Sequence, residues 1–126
     1  MKKALHLQVR LFHISLFITW TMASSVLFIR KNDRHQRIRV QDIMYISAAG
    51  SYLIITTATE ELSLAQNLSQ FVRKNPIPSL IRVHRSFIVN IDCVDSFDHD
   101  FVYIGDQKIP LGDSYREKFM NGVNCA

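Results

Sequence analysis

Beyond residue 25 the chain is built of short β-branched and aromatic runs separated by polar turns. Val26–Lys31 reads as a strand, and Asn32-Asp33 offers a turn. Residues 37–40 alternate polar and apolar as a half-buried strand does, and Gln41-Asp42 breaks the pattern. Residues 43–46 form an apolar run, 48–51 a small-residue loop, and Tyr52–Thr57 the strongest β segment. A turn at residues 59–61 leads into strand 62–64. Further strands are predicted over 80–83, 87–89, 94–97, Phe101–Ile104 and 108–111, with Gly105-Asp106 as a hairpin turn.

Two segments change period. Leu64, Leu68, Phe71 and Val72 share one face at helical spacing. Asn67 is placed to cap that helix, and Lys74-Asn75-Pro76 ends it, because proline cannot continue the hydrogen-bond ladder. After Gly112 a short C-terminal helix is predicted. Ser114 and Glu117 have capping-box spacing, Tyr115 and Phe119 face the core together, and Gly122 is placed for a left-handed stop. About nine short strands and two short helices make the class mainly β.

Length and composition narrow the choices. The chain has 126 residues, room for one ordinary domain. Its 48% hydrophobic and 21% charged residues suit a folded globule and exclude a disordered tail. The formal charge is +4, of which Lys2, Lys3 and Arg10 supply three positive charges. Residues 26–126 then hold 12 Lys and Arg against 11 Asp and Glu, so net charge alone does not argue for a polyanion partner. Placement says more. Arg30, Lys31, Arg34, Arg37 and Arg39 form one basic run, and Arg73, Lys74, Arg82 and Arg85 a second. Such runs are either a polyanion-binding face or ordinary solvated strand faces.

Residues 1–25 are set apart as an apolar N-terminal segment, and residues 26–126 as the folded domain. No charge lies between Arg10 and Arg30 with His13 neutral, a stretch of 19 residues. That length touches the threshold for a spanning helix. The flanking Lys2, Lys3 and Arg10, with Thr21-Met22-Ala23, also match the layout of a leader. Removing residues 26–29, which read as strand, leaves 15 residues, about 22 Å of helix against a hydrocarbon core of about 30 Å. Three readings stay open: a packed or partner-seeking helix, an anchor or export signal, and a non-native leader.

Candidate chemistry is sparse. His84, Ser86 and Asp92 are the ingredients of a nucleophilic set, but no Gly-x-Ser-x-Gly elbow frames them, and no enzyme is expected. Asp98-His99-Asp100 near Cys93 reads as a polar turn ahead of a metal site. Cys93 and Cys125 lack CxxC spacing, no phosphate-cradling glycine loop is present, and neither a metal nor a cofactor is expected. Two cysteines suit a reducing cytosol, so a cytoplasmic location is expected, with membrane association through residues 1–25 as the alternative.

One segment carries the function. Ile81-Arg82-Val83-His84-Arg85-Ser86-Phe87-Ile88-Val89-Asn90 resembles the signature of the LytTR-type DNA-binding domain. The likeness continues through Asp42-Ile43-Met44-Tyr45-Ile46, the Gly50-Ser51-Tyr52 loop, the Asn67-Leu68 helix start and residues 109–116, covering roughly 26–120 in order and spacing. It implies stacked antiparallel sheets, a LytTR-like β sandwich, with one short helix between sheets and a short C-terminal helix. It also implies sequence-specific binding of double-stranded DNA by loops, as the output domain of a bacterial transcriptional regulator. The positions carried over are Ser51 and Tyr52, then His84, Arg85 and Ser86, then Ser114, with Arg116 and Lys118 adding charge nearby. Arginine can fork onto guanine or phosphate, and short hydroxyls reach phosphate oxygens. Two copies on repeated half-sites are expected. Asp113 departs from the pattern, being acidic beside the helix start. The resemblance also implies a receiver or membrane sensor in front of the domain, and a sensor or membrane partner through residues 1–25 is one expectation. The alternative is a protein-interaction or membrane-tethered module that has lost DNA binding.

Overall fold

The computed structural model describes residues 26–126, so the readings made for residues 1–25 lie outside the described residues. Ten strands and two helices follow in order. They are β1 (Val26–Lys31), β2 (Arg34–Arg39), β3 (Ile43–Ala49), β4 (Tyr52–Thr57), β5 (Glu61–Leu64), α1 (Leu68–Lys74), β6 (Leu80–His84), β7 (Phe87–Asn90), β8 (Ser96–Phe97), β9 (Phe101–Ile104), β10 (Gln107–Pro110) and α2 (Asp113–Asn121). They form three antiparallel sheets: the β1–β2 ribbon, a central sheet in the order β5-β4-β3-β7-β6, and a small sheet β10-β9-β8. The expected class is observed.

The central sheet is apolar on both faces, which is why its strands read as continuous hydrophobic runs. Ile46, Leu53, Ile55 and Ile88 point to one side, where Ile29 and Ile38 of the ribbon and Leu68 and Phe71 of α1 cover them. Val83 and Val89 point to the other, where Val102, Ile104 and Ile109 of the small sheet and Phe119 of α2 pack. Strand register slips between Ile43 and Tyr45, which turns both Met44 and Tyr45 toward the second core.

Several boundaries differ from the sequence reading. β2 begins at Arg34, because Lys31 and Arg34 close a two-residue hairpin at Asn32, whose φ of 60° asparagine tolerates. Leu64 belongs to β5 and the helix starts at Leu68. There Asn67 caps Gln70 N–H at 2.8 Å, while the Gln70 side chain accepts from Asn67 N–H at 3.0 Å. The expected strand over 94–97 shrinks to Ser96–Phe97, because Ile91–Cys93 turns as a 3₁₀ segment. Asn90 causes this turn. Wholly buried, it accepts from Asp92 N–H at 3.0 Å and donates to the Ile43 and Val40 carbonyls at 2.8 and 3.2 Å. Its burial therefore leaves no polar atom unpaired.

Helix α2 starts differently as well. Gly112 is its N-cap and the Ser114–Glu117 capping box does not form. In such a box the glutamate satisfies the N-cap N–H. Here the N-cap lies two residues earlier, so Ser114 and Glu117 both sit inside the helix, while the Gly112 N–H donates to the Val83 carbonyl at 2.7 Å. Gly122 does not take a left-handed conformation either: its φ is −91° and its ψ −3°. A Cβ there would sit 2.6 Å from Ile81 Cδ1, the end of a side chain that can turn aside.

Candidate nucleic-acid interface

Three turns meet at one end of the central sheet. The first joins β3 to β4 through Gly50 and Ser51, with Ala49 opposite Tyr52. Gly50 has a φ of +65°, which permits so tight a hairpin. Ser51 and Tyr52 are exposed, Tyr52 to 53%. The second turn is Arg85-Ser86 between β6 and β7, closed by the His84–Phe87 pair. Ala48 N–H donates to the Ser86 carbonyl at 2.9 Å and ties the two turns together. The third segment is the start of α2. Its Gly112 N–H bond to Val83 brings it beside β6, and a Cβ on Gly112 would stand 3.6 Å from the His84 ring. Ser114 is exposed in that first turn.

The side chains at this end are unequal. Among the described residues the Arg85 guanidinium and the Tyr52 hydroxyl have no protein partner, and Arg85 is exposed. His84 is half-buried, its Nδ1 accepting from Ser86 N–H at 3.1 Å. That bond places the proton of a neutral ring on Nε2, which is then a donor. His84 also lies against Phe87, with ring centroids 6.0 Å apart. Ser86 is half-buried, with its backbone spent on His84 and Ala48.

Arg82 is the residue that sequence reasoning missed. Its Nη2 donates to the Arg85 carbonyl at 2.7 Å, its Nε to the His84 carbonyl at 3.3 Å and its Nη1 to Ser69 Oγ on α1 at 3.0 Å. The same guanidinium lies 5.7 Å from the Tyr115 ring centroid on α2. One side chain thus braces the second turn against both helices. A signal existed: Arg82 is a charge between two buried strand residues, Ile81 and Val83, three positions before Arg85. Strand register also slips between Arg82 and His84, as expected where a strand re-aims a side chain.

Arg116 and Lys118 part company. The Arg116 guanidinium points away from the turns and is only 21% exposed. It donates to the His99 carbonyl at 2.8 Å and the Leu111 carbonyl at 3.4 Å, and pairs with Asp113 at 3.0 Å. Arg116 therefore fastens α2 to the β8–β9 loop, and Asp113 is the counter-charge that it holds. Lys118 is exposed, one turn beyond Ser114. Ser114 and Lys118 both line a cleft of about 810 Å³ whose opposite wall is α1 with Arg73.

The Asp98-His99-Asp100 segment is the β8–β9 turn. Asp98 accepts from Tyr103 hydroxyl at 2.7 Å and from Phe101 and Asp100 N–H at 2.8 and 2.9 Å. The Tyr103 bond first, then those N–H groups, hold its carboxyl below the ordinary value, and the same bond raises the Tyr103 phenol. Burial, then Asp92, Asp95 and Asp42, raise the Cys93 thiol, which disfavours the thiolate that a nucleophile needs.

The described residues form a mainly β domain that gathers two turns and the start of a helix at one end of its central sheet. The family model of the LytTr DNA-binding domain matches residues 33–123, and the chain belongs to that family. It is therefore a DNA-binding domain, which is not an enzyme class. It is 28% identical over 83 residues to the sensory transduction protein LytR of Staphylococcus saprophyticus, covering 66% of this chain and 33% of that one. The protein of the same name from Streptococcus agalactiae is 24% identical over 90 residues, covering 67% and 37%. The chain thus spans about a third of the length of these curated relatives. The solved LytTr DNA-binding domain of a putative methyl-accepting/DNA response regulator from Bacillus cereus has the same fold. Its TM-score is 0.67 at 22% identity, over 82% of this chain and all of that one.

Proposed function

We propose that this domain binds specific duplex sequences through the edge formed by Ser51, Tyr52, His84, Arg85, Ser86 and Ser114, and so acts as a transcriptional regulator in the cytoplasm. The observation that carries the reading is the meeting of three turns around an exposed Arg85 whose guanidinium has no partner among the described residues. A free guanidinium on a braced turn is the group that forks onto guanine O6 and N7. Tyr52 offers a flat face and a hydroxyl to a thymine methyl or a phosphate. Ser114, with the free N–H groups of the first turn of α2, offers donors to phosphate oxygens. Lys118 adds a phosphate contact along the same helix. Arg116 acts at one remove, by holding α2 in place.

Two copies on repeated half-sites fit a footprint this small, since one edge of about 100 residues reads few base pairs. Family membership favours this reading over a module that has lost DNA binding. A titration of the Arg85→Ala variant against a duplex selected by the wild-type protein tests it. A loss of about 1–3 kcal/mol, with relaxed preference at one base pair, is expected. Unchanged affinity and preference remove Arg85 from the interface.

A further inference from the structure

The β1–β2 ribbon carries a second surface, unrelated to the DNA edge. Alternation puts Leu27, Ile29 and Ile38 inward and Phe28, Arg30, His35, Arg37 and Arg39 outward. The register pairs Phe28 with Arg37 and Arg30 with His35, so these side chains share one face. Residues 26–39 hold five Lys and Arg against the single Asp33. Asp42 offsets Arg39 and Glu60 offsets Lys31. By the same alternation Arg34, opposite Lys31, lies on the other face; on the outward face Arg30 and Arg37 have no partner among the described residues. Amid them Phe28 is 61% exposed, the most exposed large apolar side chain in the described domain.

Where this face lies decides what it meets. Gln36 and Lys31 contact Glu60, just past the end of β4, and Arg39 contacts Asp42, just before β3. Val26, Leu27 and Phe28 border the segment after α1, at Lys74 to Ile77. Thr57 and Ile43 mark that end of the central sheet, whereas Tyr52 and Ser86 mark the other. A six-residue β4 separates the two by about 17 Å. The ribbon therefore borders the end of the sheet away from the Tyr52 and Ser86 turns.

We propose that the outer face of the β1–β2 ribbon docks on an anionic phospholipid bilayer. A flat cationic face with one protruding aromatic matches that surface. Arginines stay among the headgroups, and Phe28 enters the acyl boundary where it leaves water. A groove or pocket for a folded partner is not needed. The chain also enters β1 directly from the uncharged run that begins at Leu11, so the ribbon is the first part of the domain to follow an apolar segment.

The test is co-sedimentation of the full chain with mixed phosphatidylcholine–phosphatidylglycerol vesicles and with pure phosphatidylcholine vesicles. Wild type, the Arg30→Glu/Arg37→Glu pair, the milder Arg30→Gln/Arg37→Gln pair and Phe28→Ser are compared, each checked for an unchanged unfolding midpoint. Wild type is expected to prefer the anionic vesicles and to lose them in salt. The glutamate pair should lower partition at least about tenfold, the glutamine pair and Phe28→Ser by less, all with unchanged duplex binding. Equal binding to both vesicle types, no binding to the anionic ones, or full retention by the glutamate pair overturns the proposal. Weaker duplex binding by that pair, with vesicle binding intact, assigns the ribbon to the DNA backbone and overturns it too.

Discussion

The Arg82 guanidinium donates to the backbone carbonyl of Arg85 at 2.7 Å, so one arginine fixes the direction from which the other leaves the turn. Three hydrogen bonds and an aromatic contact are concentrated on that single side chain. The two residues have different duties, and the difference is measurable.

Arg82→Ala is expected to weaken duplex binding and to lower folding stability, each by about 0.5–1.5 kcal/mol, because the His84 and Arg85 carbonyls and Ser69 Oγ lose a charged donor. Base preference should persist, since Arg85 remains. Arg82→Lys should restore little, as an ammonium cannot reproduce the planar fork. Parallel binding titrations and urea unfolding check both.

Arg85→Ala is expected to leave the unfolding midpoint within about 0.5 kcal/mol of wild type, since the residue is exposed and unpaired. Read beside the binding loss above, this separates a contact residue from a brace.

Arg116 and Lys118 give opposite readouts. Lys118→Ala should shallow the log affinity against log salt slope by about one unit and leave stability alone. Arg116→Ala should leave that slope unchanged but destabilise the domain by about 0.5–1.5 kcal/mol. It strips the donor from the His99 carbonyl and the partner from Asp113.

Gly122→Ala is expected to cost at most about 1.5 kcal/mol, because its Cβ would press only on Ile81 Cδ1, which must turn off its present rotamer. Denaturant unfolding of this variant distinguishes close packing from a backbone requirement: Ile81→Val in the same chain should recover part of the loss.

Stability should also depend on Asp98. Its carboxyl is held below the ordinary value of about 3.9, so its contribution is present above that pH and fades as pH falls through the lower folded value. The gap in unfolding midpoint between wild type and Asp98→Asn is expected to be widest near neutrality and to close in acid.

The β-branched and aromatic residues of Val26–Lys31 and the apolar run of Tyr52–Thr57 made those strands legible, because each covers a core face. The stretch from Ile81 to Asn90 marked the second turn through its resemblance to the LytTR signature. What escaped was set by partners distant in sequence. Residues 94–97 look like a strand until the Asn90 side chain draws Asp92 into a turn. Ser114 and Glu117 look like a cap until the helix starts two residues earlier, at Gly112, which is tied to Val83. Arg116 looks like a free cation until the β8–β9 loop brings the His99 carbonyl against it. Arg82 looked like one more basic residue, and only folding places Ser69, Tyr115 and the Arg85 carbonyl around it.

Selection of bound duplexes from a random library with the wild-type chain, repeated with Arg85→Ala, measures the main conclusion most directly. Wild type should enrich one short sequence, and the variant should lose the preference at a single base pair while keeping the rest. Recovery of no enriched sequence by wild type, or the same sequence with undiminished preference by both, would contradict the assignment of this edge to DNA.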